Sequence, residues 1–326
     1  MKFGPVPVAE ALGAILAHGV TAGALPLRKG KVLDAADIAA LQAAGLHQVT
    51  VAQLGPGDQD ENTAAAQLAT ALAGDHVSAS AAATGRVNLF ADVAGIVSLD
   101  AAAIGRFNAV NPMITLATLP PYTRIAAGNM IATIKIISYA VPGADVARAA
   151  ATQAVLGVLA PRYRRATLIE TNLGTPPTAK GRAALAKRLA RFDVTLDDRC
   201  IVAHEINALS AALDAALGEV IFILTASATS DIADVGPAAL RAAGGSVSQF
   251  GMPVDPGNLL FLGDLRGRPV IGLPGCARSP ALNGADWVLE RVICGRIPTP
   301  AEIAAMGVGG LLKEIPDRPQ PRRQIG

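Results

Sequence analysis

From residue 165 onward, apolar runs alternate regularly with amphipathic segments. The apolar runs lie at 166–169, 194–196, 220–224, 259–262 and 270–273. Segments with helical spacing lie between and after them, at 178–191, at 205–217, after Pro237 and at 280–294. Such alternation is typical of βαβ units that build a mostly parallel sheet. The pattern therefore predicts an α/β domain over 161–297, with three layers and helices on both faces of the sheet.

The first 60 residues show a less regular pattern, which predicts a small α+β segment. An amphipathic helix is predicted at 8–20 and a strand at 47–51. Between them, Asp34 is placed to cap a helix that runs through Leu41 and ends at Gly45.

Strand-like runs dominate residues 61–160, which predicts a β-rich region. The runs lie at 87–90, 96–99, 114–119 and 130–140. Acidic residues at 58–61 favour the start of a helix at 64–73, and Asp100 favours the start of a second one. The segment 145–159 is predicted to form a connector helix. Pro161 then marks the break before the last domain, because proline cannot continue a helix.

The last residues, 298–326, have a composition that favours flexibility. Glycine dominates 307–310, and proline and arginine make up most of 316–323. Such a segment buries too little apolar area to order itself. We therefore predict a flexible Pro/Arg-rich tail that resembles a linker towards another protein.

Composition narrows the class of protein further. The 326 residues suffice for two domains, and because 51% are apolar but only 3% aromatic, the core is built mainly from Ala, Val, Ile and Leu. No uninterrupted apolar run is long enough for a membrane span, so no membrane partner is expected. No export signal is visible in the first residues, so none is expected, and three cysteines, an odd number, suit reduced thiols. These features predict a cytoplasmic protein.

The net charge argues against nucleic-acid binding, and the positions of the histidines argue against a zinc site. A net charge of +2 is too small to indicate nucleic-acid binding, so no nucleic-acid partner is expected. The four histidines are scattered away from clustered carboxylates and thiols, which argues against a zinc site.

Candidate chemistry lies in three turns that follow apolar runs, because ligands of open α/β sheets bind outside the carboxyl ends of the strands. The first turn supplies Thr171 and Asn172. The second is rich in small hydroxyl residues, whose hydroxyls and backbone N–H groups could cradle a phosphate. The candidate binding residues of the second and third turns are Thr225, Ser227, Thr229, Ser230, Asp231, Pro274, Gly275, Cys276, Arg278 and Ser279.

Each candidate also has a purely structural interpretation. Ser and Thr are common caps, and Pro274 followed by Gly275 is more often a plain turn than a ligand loop. Arg278 could pair with a phosphate, although an exposed arginine is the commoner outcome. Asp234 is the candidate catalytic residue, either as a ligand of a metal–nucleotide or as an acid favoured by a helix N-terminus. Cys276 could act as a soft ligand or nucleophile, but no histidine stands near it in sequence.

Two stretches of the second half resemble a known family. Residues 253–258, Pro-Val-Asp-Pro-Gly-Asn, and 267–275, Gly-Arg-Pro-Val-Ile-Gly-Leu-Pro-Gly, resemble the Pro-x-Lys-Pro-Gly-Lys and Gly-x-Pro-Val-x-Gly-Leu-Pro-Gly motifs of molybdopterin molybdenumtransferases. Residues 234–237, Asp-Val-Gly-Pro, resemble the Asp-Val-x-Pro of the related molybdopterin adenylyltransferases. The motifs fall in the family's order over about 165–295, and the segment 27–51 resembles the one that precedes this domain in the transferases.

The departures from the family motifs weaken or retune an anion site. The first turn, 171–174, reads Thr-Asn-Leu-Gly where the family has Thr-Gly-Asp-Glu, so both acids are lost. Side chains replace the Gly-Gly of the phosphate turn and narrow the room for an anion. The residues that replace this Gly-Gly are Ser227 and Ala228. Elsewhere, Asp255 and Asn258 replace lysines and Cys276 replaces an asparagine.

The resemblance implies a molybdopterin-binding protein of molybdenum-cofactor biosynthesis, with molybdopterin or adenylylated molybdopterin as its ligand. We expect a carrier or handover module, with a molybdopterin nucleotidyltransferase as partner. One alternative is an active metal-dependent transferase, in which Asp234 helps to hold Mg²⁺. Another is a nucleotide pyrophosphate-binding protein of the competence-damage type. Because the related transferases are dimers whose sites draw on two chains, a homodimer is expected, with residues 60–140 near the partner's last domain.

Overall fold

The computed structural model describes residues 1–153 and 155–312 of the chain. Within these residues, helices and strands are mixed along the whole sequence, so the predicted α/β class is confirmed. The chain divides into two compact units, one formed by Met1–Leu159 and the other beginning at Ala160.

The first unit begins with short strands and one capped helix. Its elements are β1 (Lys2–Pro7), a 3-10 helix (Val8–Glu10), β2 (Ile15–Leu16), β3 (Val20–Ala22), β4 (Leu25–Leu27), α1 (Ala35–Ala43) and β5 (Gln48–Gln53). Strand β5 pairs antiparallel with both β1 and β2. Asp34 caps α1 in a reciprocal capping box with Asp37. The predicted helix after Asp34 and the predicted strand at 47–51 are therefore confirmed.

The helix predicted at 8–20 is wrong. Gly13 adopts φ +77°, a left-handed value that a right-handed helix interior excludes. Ile15 and Leu16 instead pair with β5, and Leu16 is fully buried while Leu12 is 62% exposed. The helical spacing of the apolar residues thus belongs to a turn followed by a short strand.

The remainder of the first unit is β-rich, as predicted. Its elements are β6 (Asp58–Asp60), α2 (Glu61–Leu72), β7 (Val77–Ala79), β8 (Arg86–Ala91), β9 (Gly95–Leu99), α3 (Ala101–Asn108), β10 (Ile114–Thr118), β11 (Arg124–Ile125), β12 (Met130–Ile136), β13 (Ala140–Pro142), α4 (Gly143–Ala150) and β14 (Leu156–Leu159). One sheet has the order β10-β12-β8-β7 and another the order β11-β9-β14. Apolar residues of α2, α3 and both sheets form one buried cluster, which includes Leu68, Phe107, Ile134 and Val158.

The connector helix predicted at 145–159 covers only the first part of that segment. Helix α4 ends at Ala150, and Gln153 has a left-handed φ of +39°. The residues that follow form β14, which pairs antiparallel with β9. Leu156 and Val158 are buried there, so the apolar positions serve a sheet rather than a helix face.

The second unit contains the alternating elements that the sequence predicts. They are β15 (Arg165–Asn172), α5 (Lys180–Ala190), β16 (Thr195–Leu196), β17 (Cys200–Ala203), α6 (Ile206–Ala215), β18 (Val220–Leu224), α7 (Val235–Ala242), β19 (Ser246–Phe250), β20 (Phe261–Leu265), β21 (Arg268–Gly272), a 3-10 helix (Gly275–Arg278), α8 (Gly284–Ile293) and α9 (Pro300–Ala305).

These strands form one sheet in which β16 and β17 both pair with β15, followed by β18, β21, β20 and β19. The pairs from β16 to β21 are parallel, whereas β20 and β19 are antiparallel to their neighbours. The sheet is thus mostly parallel, as predicted. At its outer strand, β19, the register shifts between Val247 and Gln249, which leaves Ser248 in a bulge.

Helices cover both faces of this sheet. On one face, α6 and α7 bury Leu209, Leu213 and Leu240 against Ile221 and Ile223. Because strand side chains alternate between faces, Leu224 lies on the opposite face. Helix α5 lies on that face, since a Cβ at Gly181 would stand 2.5 Å from Cδ2 of Leu224.

The tail predicted at 298–326 begins with ordered structure. Thr299 caps α9 in a capping box with Glu302, and Ile303 is fully buried. Further on, the backbone N–H of Leu312 donates to the carbonyl of Asp255 (2.9 Å). The capping signal Thr-Pro-Ala-Glu at 299–302 accounts for this helix. The prediction of flexibility for 313–326 lies outside the described residues.

Candidate functional site

The turns after β15, β18 and β21 meet at one edge of the sheet, because these strands are adjacent and parallel. Oγ1 of Thr171 accepts a hydrogen bond from the backbone N–H of Ala226 (2.7 Å). Nη2 of Arg278 donates to the carbonyl oxygen of Thr225 (2.6 Å). The structure therefore brings together residues from all three of the predicted turns.

The second turn holds its shape through its own hydroxyl groups. Thr225 and Thr229 are buried, their hydroxyl oxygens lie 3.2 Å apart, and Thr225 Oγ1 also donates to the carbonyl of Ser227 (2.7 Å). Ser227 and Ser230 are exposed, and the Ser230 hydroxyl donates to the carbonyl of Ala228 (3.3 Å). The exposed serines and the backbone can face a ligand here, whereas the two threonine hydroxyls are occupied inside the turn.

Asp234, the candidate catalytic residue, is the N-cap of α7. Its Oδ1 accepts from the N–H of Val235 (2.7 Å), and its Oδ2 accepts from the N–H of Ser230 (3.1 Å). The neighbouring Asp231 is exposed and accepts from the N–H of Ala233 (2.7 Å). Both carboxylates therefore stabilise the turn and the helix start.

The first turn contains a contact that sequence reasoning missed. Thr171 is buried, and its Oγ1 lies 2.9 Å from Nδ1 of His204, which follows β17. The side chain of Asn172 is occupied, because it donates to the carbonyl of Val202 (3.1 Å) and accepts from the N–H of Gly174 (3.0 Å). Thr171 thus joins the second turn to His204.

A buried carboxylate also lies at this end of β15. Glu170 is 0% exposed, and its Oε2 accepts from Nε of Arg199 (2.8 Å). Arg199 further donates to the carbonyl of Pro177 (2.6 Å), which ties the segment before α5 to the strand. Oε1 of Glu170 has no hydrogen-bond partner among the described residues. In the sequence, the signal for this ion pair is the position of Glu170, a charged residue directly after the apolar run 166–169.

A buried arginine of α5 fixes the third turn. Arg188 donates to the carbonyl oxygens of Ala277 (3.0 Å), Ser279 (2.9 Å) and Ala281 (3.2 Å), and it pairs with Asp286 of α8. Its guanidinium group therefore holds the loop against two helices.

A groove of about 500 Å³ lies between α5 and this loop. It is lined by Lys180, Ala183, Ala184, Lys187, Gly275, Cys276, Arg278, Ser279 and Pro280. Four of the predicted binding residues line it, namely Gly275, Cys276, Arg278 and Ser279, while Pro274 is buried beside them. The two lysines were not predicted. Three basic side chains and no acidic one line the groove, so it is suited to anions.

Two further observations concern metals and membranes. Among residues 1–153 and 155–312, no three His, Cys, Asp or Glu side chains are grouped so that they could hold a metal ion. Within the same residues, no helix is both long and apolar enough to span a bilayer.

Comparisons with other proteins give limited similarity. Residues 5–53 match a family described as Domain of unknown function (DUF8806). No curated protein sequence matches the chain. A solved structure of a molybdopterin biosynthesis moeA protein from Pyrococcus horikoshii is 14% identical, with a TM-score of 0.33, over 91% of this chain and 75% of that one. A second structure of such a protein from strain OT3 is 10% identical, with a TM-score of 0.24 and the same two coverages.

Proposed function

We propose that this chain binds molybdopterin, or adenylylated molybdopterin, as a carrier or handover module of molybdenum-cofactor biosynthesis. The order of the motifs at 234–237, 253–258 and 267–275 supports this proposal. The observation that carries it is the hydrogen bond from Arg278 to the carbonyl of Thr225 (2.6 Å). This bond joins the two turns that would share the pterin phosphate.

The residues favour binding over catalysis. Both oxygens of Asp234 already accept from backbone N–H groups, which leaves this carboxylate poorly placed to hold Mg²⁺. The first turn lacks the two acids of the family motif, and metal-assisted transfer needs hard oxygen ligands near the phosphates. We therefore propose that the ligand is passed on to a molybdopterin nucleotidyltransferase.

Isothermal titration with molybdopterin tests the proposal. We expect the unmodified chain to bind in the micromolar range. Ser227→Trp should cause a large loss of affinity, because Ser227 is an exposed residue of the second turn and an indole there would block the phosphate. Ser246→Trp is the matched control, since Ser246 is also exposed but lies on the outer strand β19.

Circular dichroism establishes that both variants fold. Absence of molybdopterin binding by the unmodified chain would remove the proposal, and equal affinity of Ser227→Trp and the unmodified chain would remove the second turn from the site. Turnover of adenylylated molybdopterin that requires magnesium and molybdate would show a transferase instead of a carrier.

A further inference from the structure

Helix α5 turns one regular stripe of side chains towards the groove described above. Lys180, Ala183, Ala184 and Lys187 are spaced i, i+3, i+4 and i+7, which places them on one face of the helix. The two lysines are separated by roughly 10 Å along the helix axis, at about 1.5 Å per residue. The groove therefore has a positive charge at each end and small side chains between them.

One end of the groove is more strongly positive than the other. Arg278 lies against the first turn of α5, because a Cβ at Gly181 would stand 3.6 Å from its Nη1. Ala179, the N-cap of α5, makes no side-chain cap, so the first N–H groups of the helix add their positive dipole end. Lys180, Arg278 and the helix start therefore act together at this end.

The lysines are available to a ligand. Lys180 and Lys187 are exposed, and neither forms a salt bridge with any residue among those the structure describes. Between them, Ala183, Ala184 and Pro280 offer apolar side-chain surface. The volume of about 500 Å³ lies in the range of small-molecule sites.

We propose that this groove binds a small organic molecule that carries two anionic groups, one at each end of a narrow apolar body. A phosphate or phosphonate group lies at the end formed by Lys180 and Arg278, because arginine pairs with such groups through two parallel hydrogen bonds. The second anionic group pairs with Lys187. The apolar body lies on the two alanines and Pro280. The groove shares Arg278 and the third turn with the proposed molybdopterin site, but it differs from that site in its use of Lys180 and Lys187.

A length series of alkane-α,ω-bisphosphonates is the probe, with the monophosphonate of each chain length for comparison. Isothermal titration of the full chain should give an affinity that passes through a maximum at an intermediate chain length. The monophosphonate of that length should bind about tenfold more weakly, or worse, because it loses one charge-assisted hydrogen bond.

Lys187→Glu should reduce the affinity for the best bisphosphonate by at least about tenfold and leave the monophosphonate less affected. Arg191→Glu is the control: it makes the same charge change at the exposed C-cap of α5, outside the groove, and its effect should stay within about twofold. Lys187→Gln gives the same test without charge reversal if the glutamate variant does not fold.

Equal binding of mono- and bisphosphonates, or equal losses in Lys187→Glu and Arg191→Glu, would overturn the proposal. Ser227→Trp separates it from the proposed function, because that substitution should greatly lower the affinity for molybdopterin and leave bisphosphonate binding unchanged. Bisphosphonate binding by a chain that does not bind molybdopterin would sustain this inference alone.

Discussion

Arg188 is only 5% exposed, and its charge is balanced by Asp286, which is 3% exposed. A buried ion pair of this kind contributes little beyond an apolar pair of the same volume, but the loss of one partner leaves an uncompensated buried charge. Three loop carbonyls depend on the same guanidinium group. One residue of α5 therefore determines whether the third turn keeps its shape.

Replacing Arg188 with methionine keeps much of the apolar contact but removes every hydrogen bond to the loop. We expect the free energy of unfolding, measured by urea denaturation, to fall by roughly 3–5 kcal/mol. Lys187→Met is the control, because Lys187 is exposed and its loss should change stability by no more than about 0.5 kcal/mol. Equal effects of the two substitutions would mean that the buried pair is not required.

Asp60 gives a second prediction at the residue scale, through its charge. Hydrogen bonds from Thr63 and from the N–H of Asn62 hold the pKa of Asp60 below its usual range, with the Thr63 hydroxyl as the largest cause. A carboxyl group whose pKa is lowered by folding stabilises the protein above its unfolded pKa and loses that contribution as the pH falls. Asp60→Ala should therefore cost about 1 kcal/mol at neutral pH, and the cost should shrink below about pH 4.

Urea denaturation at several pH values measures this difference. Asp60→Asn serves as the control, because asparagine caps a helix nearly as well but cannot titrate. The stability difference between Asp60→Asn and Asp60→Ala should therefore stay constant with pH. A cost of Asp60→Ala that stays constant down to acidic pH would contradict the role of the carboxylate charge.

At the scale of elements, the structure depends on close approach between β9 and β14. A Cβ at Gly95 would stand 2.1 Å from the carbonyl oxygen of Leu159, so Gly95→Ala must push the two strands apart. We expect a loss of about 1–3 kcal/mol in the free energy of unfolding. Gly105→Ala is the matched control in α3, where nothing lies within 4 Å of a Cβ. That change should instead stabilise the helix by about 0.5–1 kcal/mol.

The sequence predicted those elements whose signals are local. Caps at Asp34, Asp60 and Asp100 mark the starts of three helices, because a capping side chain acts on the N–H groups next to it. The segments 8–20 and 145–159 were misassigned, since their apolar spacing fits a helix while their burial depends on partners distant in sequence. The strands β17 and β19 were missed because their residues are mostly only half-buried or exposed, which leaves a weak pattern.

The candidate site was predictable only in part, for the same reason. The parallel sheet brings strand ends together, so the meeting of the three turns follows from the pattern of elements. The groove is lined in part by Lys180 and Lys187. In the sequence these two residues cannot be told from ordinary solvent-exposed charges of a helix. No sequence pattern indicates that the loop at 275–280 packs beside them. The contact of His204 with Thr171 likewise depends on the pairing of β17 with β15.

At the scale of the whole molecule, each unit has a buried core of its own. We propose that the chain forms a homodimer, because the resemblance to the transferases implies sites that draw on two chains. Sedimentation velocity at micromolar concentration should give the mass of two chains. A single species of about 33 kDa would contradict this prediction, since that is the mass of one chain.

The bulge at Ser248 affects the tendency of this chain to aggregate at high concentration. An outer strand with a regular ladder of free N–H and carbonyl groups is a template on which another molecule can add its own strand. In β19 the extra residue breaks that ladder and increases its twist. This edge of the sheet should therefore resist growth into fibrils, and a chain without Ser248 would offer a flatter edge to aggregation.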